Sequence, residues 1–133
     1  MALGLNLHAP GGSYSAEAEA AIEQGDVVML GTAENEVKKT TGATVTCVGA
    51  VDLDKAAAGG GITVYYSGIV WCRASAAIAR GLRVTPAADG EVAAAADVAG
   101  TNYEIVGITM GASAAANDLL PVLLTLNLQQ GDT

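Results

Sequence analysis

The chain has no phenylalanine, and it has one tryptophan, one histidine and two cysteines among its 133 residues. Aromatic residues make up only 4% of the sequence, whereas 27 positions are alanine and 17 are glycine. Aromatic side chains supply much of the buried area in ordinary domains. A single copy of this chain is therefore expected to have a small core, and burial against partners is a reasonable expectation.

Basic residues are also scarce, because six lysines and arginines stand against fourteen acidic residues, for a net charge of −8. This balance disfavours nucleic acid as a partner, since binding to phosphates requires clustered positive charge. No apolar run approaches the length of a membrane span, and the first residues lack the basic and apolar regions of a signal peptide. With 51% hydrophobic and 15% charged residues, the sequence is too apolar for a disordered chain.

Groups suited to catalysis or metal binding are few. His8 is the only histidine and lies outside the predicted domain, so a surface position is expected rather than a catalytic base. Asp52 and Asp54 have the alternate spacing of cation ligands, but the alanines and glycines that follow replace further acidic ligands, so a solvated loop is expected. Cys47 and Cys72 lie in no CxxC pattern and are predicted to be buried free thiols, with a disulfide as the alternative. We expect no enzymatic activity, no cofactor and no metal.

The N-terminus differs from the rest of the chain. Leu3, Leu5 and Leu7 alternate with smaller or polar residues, and a Pro-Gly-Gly run follows. The alternation fits an extended segment, and the Pro-Gly-Gly run breaks any regular element after it. The sequence therefore predicts an extended arm over residues 1–15 and a β-barrel domain over 16–133, with an ordinary first core strand as the alternative for the leucine-rich segment.

The pattern after Gly25 is typical of β structure, with short apolar stretches between glycine-containing turns. The predicted strands are Asp26–Thr32, Ala43–Val51, Ile62–Arg73, Leu82–Thr85, Glu91–Ala96, Tyr103–Met110 and Val122–Leu128. Glu34–Thr41 is predicted to be a polar turn, Gly68 a bulge or bend, and Ala74–Arg80 one helical turn. Ser15–Gln24 has a helical composition but only one large apolar residue, so a helix and an extended crossing both remain open.

An internal repeat supports a duplicated β architecture. Residues 48–68 and 106–126 share six identities in 21 positions at an offset of 58, including a Val-Gly pair in each segment. Upstream, residues 24–28 correspond to residues 80–84 at an offset of 56. Two such units are expected to bury each other's apolar faces. The predicted fold is therefore all-β, a small barrel or sandwich of two similar units that close into one barrel.

Two sets of residues are candidates for an oligomer interface. Tyr65 and Trp71 lie on one predicted β stretch, and aromatic residues are enriched at interfaces, although they fit a bulky core equally well. Arg73, Arg80 and Arg83 cluster in the sequence and could pair with acidic residues of another copy, with separate solvated charges as the alternative.

Short motifs in a defined order resemble one known family. They are Gly25-Asp26-Val27-Val28, Val48-Gly49-Ala50-Val51, Ala56-Ala57-Ala58-Gly59, Ser67-Gly68-Ile69-Val70, residues 78–84, Ala88-Asp89-Gly90-Glu91-Val92, Ile105-Val106-Gly107-Ile108 and a closing strand over 122–128. In this order the chain resembles the head decoration, or capsid cement, proteins of tailed bacteriophages that have a small β-barrel. The resemblance covers roughly residues 17–128.

The resemblance implies a homotrimer on the outer surface of an icosahedral head, where it clamps neighbouring major capsid protein subunits. The family has no catalytic position to carry over. An arm carrying Leu3, Leu5, Leu7 and His8 could add a strand to a capsid subunit, with backbone hydrogen bonds supplying affinity. The alternatives are a tail- or fibre-associated phage domain and a small cellular β-barrel that binds a ligand.

Overall fold

The computed structural model describes residues 8–96 and 102–130. It is almost entirely β structure, as predicted, with eleven strands in the described part of the chain. The strands are β1 (Ala9–Pro10), β2 (Ser13–Ala18), β3 (Val27–Leu30), β4 (Glu36–Lys39), β5 (Gly49–Ala50), β6 (Gly61–Tyr65), β7 (Gly68–Arg73), β8 (Arg83–Pro86), β9 (Val92–Ala94), β10 (Asn102–Thr109) and β11 (Leu119–Gln130). A 3-10 turn at Ala88–Gly90 precedes β9. Within these residues, no helix is long and apolar enough to cross a membrane.

The strands form two units. Unit 1 comprises β2 to β6, which close into a barrel in the order β2-β4-β3-β5-β6. Unit 2 comprises β7 to β11, which form an open sheet in the order β7-β11-β10-β8-β9, with β1 added at the β7 edge. The expectation that both halves share a single barrel is therefore wrong, since unit 1 closes on itself.

The predicted duplication is confirmed strand by strand. Strand β8 begins and ends 56 residues after β3, which is the upstream offset of the repeat. The pairing of β2 with β6 in unit 1 recurs as the pairing of β7 with β11 in unit 2. An isolated bridge also recurs, one residue out of register, because Ile22 pairs with Ala56 and Ile78 pairs with Ser113, next to Ala114. We call two residues related by the offsets of the repeat equivalent positions.

Close strand packing explains why the repeat keeps its Val-Gly pairs. Gly49 lies on β5, and a Cβ atom there would collide with the side chain of Val64 and the backbone of Tyr65. Its equivalent, Gly107 on β10, would collide in the same way with the backbone of Leu123. Glycine is required at both positions because neighbouring backbones approach too closely for any side chain.

The core has two parts that meet at the junction between the units. Residues that point into the unit 1 barrel, including Val28 and Val64, form one buried cluster. The inner face of unit 2 forms the other cluster, which is completed by Val27, Ala50 and Tyr65 from the outside of unit 1. Side chains from the outside of unit 1 therefore complete the core of unit 2.

Several local predictions are wrong for identifiable reasons. Ile62–Arg73 is two strands rather than one long stretch, because the predicted bend at Gly68, at φ 91°, takes the chain from β6 of unit 1 into β7 of unit 2. Glu36–Lys39 lies within the predicted polar turn but forms β4, in which Val37 alone is buried. The predicted strand Ala43–Val51 is reduced to β5, and Ala74–Arg80 is irregular rather than helical, since isolated bridges hold it to unit 2.

The question left open for Ser15–Gln24 is also answered. The segment begins as strand β2 and, after Ala18, continues as an irregular crossing that Ile22 fixes by pairing with Ala56. Residues 13–15 pair with Thr63–Tyr65, so the predicted boundary between an arm and a domain at residue 15 falls inside a strand. Leu3, Leu5 and Leu7 lie outside the described residues.

Candidate functional site

The N-terminal segment is fixed to the domain at His8. The His8 Nε2 atom lies 2.9 and 3.0 Å from the two carboxylate oxygens of Asp52, and the imidazole ring stacks on the Trp71 indole at a centroid distance of 5.8 Å. Sequence analysis missed this contact because 44 residues separate His8 from its acidic partner. The only histidine of the chain therefore has an intramolecular structural role.

Asp52 is the centre of this contact. It is buried, not solvated as expected, and its φ of 57° is left-handed. That conformation costs about 1 kcal/mol or more for a residue other than glycine. The carboxylate Oδ1 accepts a hydrogen bond from the Trp71 backbone N–H at 2.8 Å, and the Asp52 carbonyl accepts one from the Gly25 N–H at 2.7 Å. These bonds offset the strain and tie both units to the N-terminal segment. Asp54 instead accepts the Thr63 N–H at 2.9 Å.

The edge of β7 pairs with β1, where Ala9 lies opposite Ile69 and Pro10 opposite Gly68. The next two edge donors are already occupied, because the Trp71 N–H bonds to Asp52 and the Arg73 N–H donates to the Gly25 carbonyl at 2.8 Å. These two N–H groups at the β7 edge are therefore not free to pair with a further strand.

A cluster of charged residues spans the junction between the units. The Arg73 guanidinium of unit 2 lies 2.6 Å from the Asp26 carboxylate of unit 1 and 3.4 Å from Glu91, and it donates to the Asp89 carbonyl at 2.6 Å. Lys39 of unit 1 lies 3.7 Å from Asp26 and 3.2 Å from the Asp89 carboxylate. Arg73, a candidate for an oligomer interface, thus forms ion pairs within the chain.

Within this cluster, Asp26 has the side chain with the largest desolvation cost, because it is fully buried. Burial raises the pKa of Asp26, and the hydrogen bond from the Glu23 N–H and the charges of Arg73 and Lys39 oppose that rise only in part. Removing a carboxylate from water carries a large desolvation cost, which the two cations offset. Asp26 therefore depends on contacts from both units.

An open cleft of about 470 Å³ lies beside the charged cluster. It is lined by Glu23, Gln24, Lys39, Lys55, Arg73, Asp89, Asn117 and Leu119. Its Lys39 and Arg73 are already paired with Asp26 or Asp89, so their charge is largely neutralised within the fold. Within the described ranges, no cluster of three histidine, cysteine or acidic side chains could hold a metal ion.

The other residues that the sequence suggested for an oligomer interface do not lie on one continuous surface. Tyr65 is half-buried against the junction core, and Trp71 is half-buried beside His8. Arg80 and Arg83 are exposed on unit 2. Both cysteines are free and buried, as predicted, and burial raises the pKa of Cys47 to about 12.

Sequence analysis also missed an apolar surface on unit 2, which we call the outer face. It is the side of β7, β11 and β10 that points away from the unit 2 core, and it carries Ile69, Trp71, Pro121, Leu123 and Ile108. Leu123 is exposed, Ile69, Trp71 and Ile108 are half-buried, and Pro121 is buried. The signal was present in the leucine-rich sequence of β11, but the direction of each leucine depends on the strand register.

Comparison with known proteins identifies the family. The sequence model of the phage cement protein family matches residues 8–126. The chain therefore belongs to the phage cement proteins, a family of structural proteins of the phage head, which confirms the resemblance noted in the sequence. No curated protein sequence matches the chain.

Among solved structures, the chain is similar to the N-terminal base of the head fibre protein gp8.5 of bacteriophage phi29. The TM-score is 0.65 at 14% sequence identity, and the match covers 86% of this chain and 93% of the phi29 chain. At this identity the similarity concerns the fold alone.

Proposed function

We propose that the protein is a non-catalytic decoration protein that binds the outer surface of the assembled phage head as a homotrimer and bridges major capsid protein subunits. Membership of the phage cement family carries this proposal. The net charge of −8 fits a surface that faces solvent and does not contact packaged DNA. Many copies on one lattice would give strong overall attachment even if each contact were weak.

The geometry at His8 supports a role for the N-terminal segment in capsid attachment. The contact between His8 and Asp52 holds the first described residue against the domain, and the Trp71 and Arg73 N–H groups at the β7 edge are already bonded within the domain. Residues 1–7, with leucines at positions 3, 5 and 7, would then be available to add a strand to a capsid subunit.

Co-sedimentation with purified phage heads tests the proposal. The full chain is expected to pellet with heads, and a variant that begins at residue 8 is expected to fold but pellet less. This deletion leaves β1 and β2 complete, whereas removal of residues 1–15 would delete half of β2. A full chain that stays in the supernatant would refute capsid binding, and equal binding by the two forms would refute the role of the segment.

A fibre base is the second candidate, favoured by the similarity to the phi29 head fibre base over 93% of that chain. In this case the domain would attach to the head and carry a projecting fibre. Electron microscopy of virions distinguishes the two. A decoration protein gives compact knobs on the head, and a fibre base gives knobs with a further projection.

A further inference from the structure

The two units differ at one strand edge, which the internal repeat makes directly comparable. Ser13 of β2 lies opposite Tyr65, and Ile69 of β7 lies opposite Leu123, the equivalent of Tyr65. Ser13 and Ile69 are therefore equivalent positions, and the same register continues along both strands. Strand β2 of unit 1 and strand β7 of unit 2 thus have the same place in the fold, and their edges can be compared residue by residue.

In unit 2 this edge is occupied. Ile69 lies opposite Ala9 of β1, which runs antiparallel to β7. Two residues further on, the Trp71 N–H donates to the Asp52 carboxylate at 2.8 Å, and the Arg73 N–H donates to a backbone carbonyl of unit 1 at 2.8 Å. At this edge the fold therefore binds a short extended segment through backbone pairing.

In unit 1 most of the equivalent edge has no partner among the described residues. The Gly12 carbonyl accepts the Tyr66 N–H on the β6 side at 3.1 Å, and the Glu17 N–H donates on the β4 side at 2.7 Å. Because backbone groups alternate between the two edges of a strand, those of Ser13 and Ser15 point to the β4 side. Pairing of β2 with β4 begins only at Glu17. The backbone groups of the two exposed serines therefore form a free edge.

Charge at the end of the free edge indicates which kind of segment fits. Glu17 and Glu36 are register partners on β2 and β4, so two carboxylates occupy neighbouring positions. Neither residue belongs to an ion pair within the described part of the chain. Like charges at paired positions repel each other, so a cation beside them is favourable. Residues 1–7 of a second copy contain no lysine or arginine, so they do not match this charge.

We propose that the free edge of β2 at Ser13 and Ser15 binds an extended segment of a capsid subunit, which carries a lysine or arginine where it passes Glu17. The segment runs antiparallel to β2, as β1 does on β7, and its backbone hydrogen bonds supply affinity. The inference rests on the proposed capsid binding and deepens it, because it assigns an edge of the domain that receives a strand.

A proline at the centre of the free edge tests the proposal. Ser15→Pro removes an N–H that faces the free edge and none that pairs with β6, and proline is tolerated at such positions of edge strands. Ser15→Ala is the matched control, because it changes the side chain and keeps the N–H. In co-sedimentation with purified phage heads, we expect about tenfold weaker binding for Ser15→Pro, which loses one backbone hydrogen bond. Binding of Ser15→Ala and the urea unfolding of both variants should be unchanged.

A second pair of variants tests the charge. Glu17→Lys places a cation beside the free edge, and Glu23→Lys changes the net charge by the same amount at an exposed residue that lies beside the cleft. We expect weaker binding to heads for Glu17→Lys than for Glu23→Lys at low ionic strength. Equal binding by the two variants would overturn the assignment of a basic residue to the segment.

Hydrogen exchange keeps the test decisive if the proline variant does not fold. The amides of Ser13 and Ser15 should exchange rapidly in the isolated chain and slowly when heads are added. Protection in the isolated chain that is lost in a variant beginning at residue 8 would mean that the chain's own first residues fill the edge. A lower mass of Ser15→Pro in light scattering would mean that a second copy fills it. Either result overturns the proposal.

The outcomes also separate this inference from the proposed function. If the full chain pellets with heads, but Ser15→Pro pellets equally and both amides still exchange rapidly, the free edge is not the binding site and capsid binding stands. If the full chain does not pellet with heads, capsid binding and the inference that rests on it both fail.

Discussion

The charged cluster at the junction makes a strong prediction about stability. Replacing Arg73 with methionine keeps an unbranched apolar side chain but removes the guanidinium that lies 2.6 Å from the buried Asp26 carboxylate and bonds to the Asp89 carbonyl. Lys39, at 3.7 Å, remains as a cation beside Asp26. The variant therefore leaves a buried carboxylate with incomplete compensation.

We expect Arg73→Met to lower the free energy of unfolding substantially, because the guanidinium that it removes is an ion-pair partner of Asp26, whose side chain has no solvent exposure. Removing one member of a buried ion pair typically costs about 3 to 5 kcal/mol. Removing both charges should cost less, so Asp26→Asn combined with Arg73→Met is expected to recover most of that loss. The matched control is Arg80→Met, which removes an exposed arginine. This control should change the free energy of unfolding by less than about 0.5 kcal/mol.

Urea unfolding at pH 7, followed by circular dichroism, measures these free energies. The pH dependence gives a second check, because the folded-state pKa of Asp26 is raised. A raised pKa means that the folded state binds the proton more tightly, so this group favours folding below its unfolded pKa and loses that contribution as pH rises through the folded value. The defect of Arg73→Met should therefore shrink in acid. A loss below about 1 kcal/mol at pH 7, or a double variant less stable than Arg73→Met, would refute the reasoning.

Three further predictions concern other parts of the fold. His8→Ala should cost about 1 kcal/mol and shift the fluorescence of the only tryptophan to longer wavelength, and an unchanged emission spectrum would contradict the stacking. Gly107→Ala should lower the free energy of unfolding by at least about 1 to 3 kcal/mol through a backbone collision, whereas Gly42→Ala, which meets open space, is the control for denaturant titration. Cys47 and Cys72 should resist a thiol reagent at pH 8 until the protein is unfolded, because burial raises the pKa of both; rapid labelling of the native protein would argue against this burial.

Much of the fold could be predicted because it depends on local patterns that are repeated. The glycines at positions 25 and 81 precede equivalent strands, and both have positive φ angles, so they mark equivalent turns. The Val-Gly pairs mark equivalent close contacts between strands. These signals are local in sequence and set by backbone sterics, which is why they survive in a chain rich in alanine.

What could not be predicted depends on contacts between distant residues. Strand β4 has a polar sequence, and only its pairing with β2 and β3 identifies it as a strand. Alanine-rich residues 74–80 have a helical composition, but bridges from distant strands hold them in an irregular path. The partner of His8 lies 44 residues away, so no spacing rule could have found it.

The junction itself explains why the repeat is faint. The two units of a duplicated chain have equivalent surfaces but contact each other only once. A position that lies at the junction in one unit therefore has different surroundings from its equivalent in the other unit. Asp26, buried in the charged cluster, has Leu82 as its exposed equivalent, and Arg73 has the exposed Glu17. Val27, buried at the junction, corresponds to Arg83. At these positions the two units therefore need different residues, because only one copy of each position faces the junction.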